Sequence, residues 1–186
     1  MADLLNNTNS NANNYGDDAI VTLSPREHIR LRPGMYVGVV GDGSQPDEAL
    51  YVLIKEVVDN SIDEFIMGAG RQIDITLADN VVTVRDYGRG IPLKSLAAAV
   101  GQMNTGGKYG GDAFKKTVGL NGVGVKAVNM LSEEFTARSV RDGEARTVTF
   151  AKGLEVSDRW ESGVNEKNGT FISYLSLIHI SEPTRH

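Results

Sequence analysis

Apolar side chains recur at Leu50, Leu53, Ile54, Val57, Val58, Ile62 and Phe65, the i, i+3, i+4, i+7 spacing of a helix with one face in a core. No other stretch constrains the chain as strongly. The spacing predicts a helix from Ala49 to Met67, capped by Ser44-x-x-Asp47 and ended by Met67-Gly68-Ala69-Gly70, because glycine leaves a helix at the least steric cost. Glu56, Asn60 and Asp63 stand at i, i+4 and i+7 and are expected as a row on the opposite side, toward water or a ligand. Such a row is either a solvated helix face or a general base set one turn from an oxygen ligand for Mg²⁺, which takes a few protein oxygens plus substrate phosphates.

A helix of this kind needs partners to bury its apolar side, and 186 residues at 40% hydrophobic content supply one core. The absence of cysteine excludes disulfide scaffolds, cysteine nucleophiles and thiolate metal sites. No apolar run approaches the ~20 residues of a membrane helix, and the first residues have no basic or apolar export pattern, so a cytoplasmic protein with no membrane partner is expected. A net charge of −5 argues against a DNA-binding surface on this chain itself, because phosphate contacts need clustered basic residues.

Residues 1–14 are dominated by Asn and bury almost nothing, so residues 1–19 read as a flexible arm; its only aromatic, Tyr15, is either an exposed side chain or a docking contact. A short extended run, Ile20 to Leu23, follows. Ser24-Pro25-Arg26-Glu27 then supplies an N-cap, a first-turn proline and a capping-box glutamate, predicting a helix to about Leu31 that Arg32-Pro33-Gly34 stops. Beyond the long helix, strands are expected at Ile73–Leu77 and Val81–Arg85 around an Ala78-Asp79-Asn80 turn. The second runs into Asp86-Tyr87-Gly88-Arg89-Gly90-Ile91, which is either an ordinary glycine-rich turn or a carboxylate set where a ligand can approach bare backbone. A helix is expected from about Leu93 to Val100. The glycine-rich segment 101–124 is too long for an ordinary connection and reads as a mobile lid. It closes in Gly119-Leu120-Asn121-Gly122-Val123-Gly124-Val125, a glycine run entering a helix, suited to an anion; its order differs from the dinucleotide and Walker loops. Phe135–Val140, Arg146–Phe150, Leu154–Trp160 and Gly169–Tyr174 alternate as strands and are expected to form a meander that finishes a sheet.

Glu56-x-x-x-Asn60, Asp86-x-Gly88-x-Gly90-Ile91 and the Gly119–Gly124 loop, in this order and at these separations, resemble the Bergerat-type (GHKL) ATPases: the ATPase subunits of type IIA topoisomerases, Hsp90, MutL and sensor histidine kinases. Arg32-Pro33-Gly34-Met35-Tyr36-Val37-Gly38 and Val57-Val58-Asp59-Asn60-Ser61-Ile62-Asp63-Glu64 are similar to signatures of the bacterial gyrase B and topoisomerase IV B branch. Thr105-Gly106-Gly107-Lys108-Tyr109 is similar to its lid. Tyr87 and Met103 to Gly107 lean toward the topoisomerase IV type. The resemblance implies an α+β fold, a two-layer α/β sandwich whose mostly antiparallel or mixed sheet carries helices on one face, spanning residues 20–174, with ATP between the long helix and the lid.

The resemblance also implies roles. Glu56 would activate water for attack on the γ-phosphate, and Asn60 would hold Mg²⁺. Asp86 would accept a hydrogen bond from the adenine amino group, with Thr170 supporting it through water. Gly88, Gly90 and Ile91 would line the adenine pocket. Lys108 and the loop Gly119, Leu120, Asn121, Gly122, Val123, Gly124 and Val125 would contact the phosphates, and Tyr15 would reach a partner's nucleotide. The implied cofactors are ATP and Mg²⁺; the implied partners are a second copy of the chain, a topoisomerase IV or gyrase A subunit, and DNA through a longer protein. The chain departs from the family in two places. Val52 stands where several gyrase-type proteins have a His that orients the glutamate, and neither His28 nor His179 fits that role. Residues 175–186 resemble the translation of a transposon-end sequencing adapter and are left out of the fold reading. Two alternatives stay open: a histidine-kinase-type ATP-binding domain, against which the Arg32–Gly38 stretch speaks, and a nucleotide-binding module without useful turnover.

Overall fold

The computed structural model describes residues 23–41, 45, 48–102 and 124–176. Helix α1 (Pro25–Leu31) opens with the expected capping box: the Glu27 backbone N–H donates to Ser24 Oγ, and the Ser24 N–H donates to Glu27 Oε2 at 2.9 Å. Arg32 ends it, but Pro33 does not only stop the chain. Its fixed φ of −58° suits a helix start, and a one-turn helix α2 (Gly34–Val37) follows until Gly38 turns away at φ 75°. The Nδ1 of His28 and the Tyr36 hydroxyl, 2.8 Å apart, tie the two helices together.

Helix α3 (Ala49–Ile66) matches the predicted span to one residue. Its N-cap, however, is Glu48 in extended conformation without a side-chain cap bond; Ser44 and Asp47, the expected cap, lie outside the described residues. Leu50, Leu53 and Val57 are buried as expected, whereas Ile54 and Val58 only pack against the core's margin and Phe65 is 60% exposed.

Strands β1 (Ile73–Ala78) and β2 (Val81–Asp86) form the predicted hairpin, with Asp79 and Asn80 both at positive φ, the turn whose twist matches that of the strands. After a 3-10 turn (Leu93–Ser95) and α4 (Leu96–Gly101), α5 (Gly124–Met130) packs on α3 and α4, its Asn129 Nδ2 donating to the carbonyl of Val100 at 3.0 Å. The remaining strands are β3 (Ser132–Arg141), β4 (Glu144–Ala151), β5 (Leu154–Ser162) and β6 (Gly169–Ser176). The last runs two residues past the expected end, with Leu175 paired to Val81 and Glu134.

The sheet order is β1-β2-β6-β3-β4-β5, and every ladder in it is antiparallel. This corrects the meander: β6 does not extend the edge at β5 but returns to the centre between β2 and β3. Composition explains the insertion. β6 alternates buried Thr170, Ile172, Tyr174 and Ser176 on one face, enough apolar surface for a central position, whereas β5 is exposed along almost its whole length and stays at the edge. Two apolar rows cross the helix-covered face, Val82–Tyr174–Phe135–Phe150 and Val84–Ile172–Ala137–Val148, each residue no more than 5% exposed. Together with Leu53, Val57, Leu96, Val100 and Val128 they form the core. No helix among the described residues is long and apolar enough to cross a membrane.

Candidate functional site

Two residues further along each strand, the same face carries a third row, and this one is polar: Asp86, Thr170, Ser139 and Arg146, all at most 9% exposed. Buried polar groups need partners, and this row finds them in the segment that leaves β2 and crosses the ends of the other strands. Gly88 N–H donates to Asp86 Oδ1 (3.0 Å), Ser139 Oγ donates to the Ile91 carbonyl (2.7 Å), and Arg146 Nη1 donates to the Leu93 carbonyl (2.7 Å). Residues 86–94 are therefore laced across the top of the sheet. The glycines make the lacing possible. Gly90 has φ 75°, and a Cβ there would come within 2.7 Å of the Val140 carbonyl oxygen; a Cβ at Gly169 would overlap the carbonyl oxygen of Asp86.

Asp86 sits where this row meets α3. Its Oδ1 also accepts the Thr170 backbone N–H at 3.1 Å, and Oδ2 accepts Ser61 Oγ at 3.3 Å. Burial pushes the carboxyl up from its ordinary range even though these three donors oppose the shift. The Thr170 main chain thus touches the carboxylate directly. Ser61 was not singled out in the sequence, although it follows Asn60 and lies one helical turn before Phe65. Nearby, Glu64 receives a three-pronged contact from Arg89: Nη2 at 2.8 Å, Nε at 3.1 Å and backbone N–H at 3.0 Å. Burial alone would raise the Glu64 carboxyl, but the Arg89 hydrogen bonds and charge, with Arg141, hold it below the usual carboxylate range.

The row on α3 differs from its expected placement. At about 100° per residue, Glu56 and Asn60 lie within about 60° of Leu53, so they point along the margin of the buried side rather than opposite to it. Glu56 is half-buried and Asn60 exposed, whereas Asp63 is 5% exposed and inside the fold. The reason is that α3 is covered on two sides, by the sheet and by α5, leaving the site at their junction. Asn60 Nδ2 donates to the Glu56 carbonyl at 3.0 Å, which turns Oδ1 away from the helix backbone. Gly124, the first residue of α5, comes so close to Glu56 that a Cβ on it would overlap Oε2. Val125 begins the packing of α5 on the core. Val52, in place of an orienting His, packs against the core margin.

Glu56 and Asn60 lie midway along α3 with Gly124 against Glu56, whereas Asp86, Gly88 and Thr170 are joined by hydrogen bonds beside Ser61, with Gly90 and Ile91 on the segment that follows. Tyr15, Lys108 and Gly119 to Val123, like the lid, lie outside the described residues. A cleft of about 210 Å³ borders Asp86 and Gly88. Its α3 lining, Ser61, Ile62 and Phe65, is on the flank turned away from Glu56, so the cleft abuts the Asp86 carboxylate without reaching the Glu56 side. Among the described residues no group of three or more His, Cys, Asp or Glu side chains could cage a metal.

This arrangement has counterparts. Residues 45–157 match the model of the histidine kinase-, DNA gyrase B- and HSP90-like ATPase family. The chain is 52% identical over 163 residues to the B subunit of DNA topoisomerase 4 from Borreliella burgdorferi, covering 88% of this chain and 27% of that protein. It is 36% identical over 170 residues to the B subunit of DNA gyrase from Myxococcus xanthus, covering 86% of this chain and 20% of that one. It thus spans about a quarter or less of these relatives. The crystal structure of the 43K ATPase domain of Thermus thermophilus gyrase B, in complex with an aminocoumarin, superposes with a TM-score of 0.66 at 27% identity, over 81% of this chain and 38% of that one. With the family model spanning most of its length and the same fold in a solved relative, the chain belongs to the histidine kinase-, DNA gyrase B- and HSP90-like ATPase family.

Proposed function

We propose that this chain binds ATP with Mg²⁺ and hydrolyses it as the ATP-operated gate of a bacterial type II topoisomerase, of the topoisomerase IV B type. The observation that carries the reading is the buried Asp86 carboxylate, held by Gly88, Thr170 and Ser61 at the end of an otherwise apolar sheet face, with Glu56 and Asn60 at the margin of the adjoining helix. Asp86 is the acceptor for the adenine amino group, fixed so that no reorganisation is needed when the base arrives. Gly88, Gly90 and Ile91 would line the pocket for the ring, and Thr170 braces the carboxylate.

Glu56 takes a proton from the water that attacks the γ-phosphorus, and ADP departs with the bridging oxygen. Phosphoryl transfer of this kind needs positioning and charge stabilisation rather than covalent chemistry. The outward Oδ1 of Asn60 suits Mg²⁺, which takes one or two protein oxygens and fills its shell with phosphate oxygens and water; when bound, the ion neutralises charge on the phosphates. Tyr15, Lys108, Gly119, Leu120, Asn121, Gly122, Val123, Gly124 and Val125 complete the nucleotide contacts in this reading. The 52% identity to the B subunit of a topoisomerase 4 supports a second copy of the chain, an A subunit and, through the longer protein, DNA as partners, and a cytoplasmic setting. Nucleotide binding would close the gate on a DNA duplex and hydrolysis would reopen it.

ATP affinity and turnover, measured separately, test the reading. Glu56→Gln should bind ATP within about threefold of the parent while turnover falls by about 10²- to 10⁴-fold, the range for a lost general base. Asp86→Asn should weaken binding by about 10- to 100-fold, as for a hydrogen bond to a charged group. Equal turnover in the parent and in Glu56→Gln removes Glu56 from its role.

A further inference from the structure

A catalytic carboxylate on a flexible side chain needs something to hold its direction, and the residue one turn before Glu56 is the apolar Val52, which packs against the core and offers no hydrogen bond. What lies against Glu56 instead is the backbone of α5. A Cβ on Gly124 would overlap Glu56 Oε2 and would stand 2.9 Å from Cδ and 3.3 Å from Cβ. The glutamate therefore occupies the volume that a side chain at position 124 would fill. Gly124 itself is half-buried in the first turn of a helix that packs closely on α3, so the opening is fixed on both sides.

We infer that Gly124 is a positioning residue for hydrolysis: the missing side chain keeps open the space in which the Glu56 carboxylate rests, and the α5 backbone sets the direction of that carboxylate. The inference rests on Glu56 being the base proposed above. It adds a specific consequence, that position 124 controls turnover through Glu56 and not only through contact with phosphate. The clash falls mainly on the far end of a side chain that can swing aside, so a substituted protein is expected to fold with Glu56 displaced.

The test is Gly124→Ala, with three measurements on the same 186-residue chain. The Glu56 side-chain carboxyl ¹³C resonance, assigned by its loss in Glu56→Gln, should shift in Gly124→Ala. ATP affinity can fall too, since Gly124 is among the proposed nucleotide contacts, but the hydrolysis rate at saturating ATP, which a loss of affinity does not enter, should fall at least about tenfold. An unmoved Glu56 resonance overturns the inference, as does a variant whose turnover at saturating ATP is unchanged. If Glu56→Gln turns over like the parent, the proposed function loses its base. If Glu56→Gln is inactive and Gly124→Ala is not, the inference alone fails.

Discussion

Asp86 carries two opposed demands in one side chain. In the sequence it was a carboxylate among glycines at a strand end; in the fold it is 6% exposed with three donors aimed at it. Because burial raises its folded pKa above the unfolded value, its ionisation is favourable to folding only in reverse: the contribution is full below the ordinary carboxylate range and is lost as pH rises through the raised value. The proposed adenine contact runs the other way, since only the ionised form accepts from an amino group at both oxygens. We expect ATP affinity to fall as the solution is acidified from neutral through the range just above ordinary carboxylate values, with Asp86→Asn flat over the same window. Glu64, held low by Arg89, stays ionised there and does not confuse the profile. Titration calorimetry at a series of pH values checks this; a parent protein whose affinity is flat across that window contradicts it. Asp63 was misplaced by the sequence, and Ser61 was passed over. Both lie on α3, and only the second covering layer of the helix decides that they are buried.

Among the elements, those closed by local chemistry were legible. The capping box of α1 and the hairpin of β1 and β2 depend on residues within a few positions of one another. The hairpin turns also separate two kinds of glycine cost. Gly143 and Gly153 both follow a non-glycine residue at positive φ, with φ of 82° and 78° themselves. Nothing lies within 4 Å of a Cβ at Gly143, whereas one at Gly153 would stand 3.1 Å from Met130 Cγ and 3.2 Å from Met130 Cα and Arg26 Cδ. Gly143→Ala should therefore cost the backbone term alone, about 1–2 kcal/mol, and Gly153→Ala measurably more. Urea denaturation compares them; equal losses, or a larger one at Gly143, would show that the β4–β5 turn is not packed on α5 in solution. The one-turn helix α2 was missed because a proline followed by glycine usually signals a stop, and here the proline both ended one helix and began the next.

At the scale of the molecule, Arg146 joins parts that no local pattern links. Its guanidinium donates to both Asp158 oxygens at 2.9 and 2.8 Å, to the carbonyls of Leu93 and Lys94, and lies 4.8 Å over the Trp160 ring. It thereby ties β4 and β5 to the 3-10 turn that continues from the Asp86 segment. Arg146→Ala should lower stability by about 2–3 kcal/mol, because it strands two carbonyls and a carboxylate, and Arg146→Lys should recover only part of this, since an ammonium cannot reproduce the planar fork. Chemical denaturation reads both, and a loss under about 0.5 kcal/mol for alanine, the level of an ordinary surface substitution, would mean that the clamp is idle. By itself the sequence determined the long helix, the strands and the family, because helix period, strand alternation and motif spacing are properties of neighbours along the chain. Only the tertiary structure decided that β6 enters between β2 and β3, that the polar row lies at one end of the sheet, and that Glu56 faces Gly124. Those outcomes depend on which apolar faces bury one another best across the whole chain, a competition that no single segment carries.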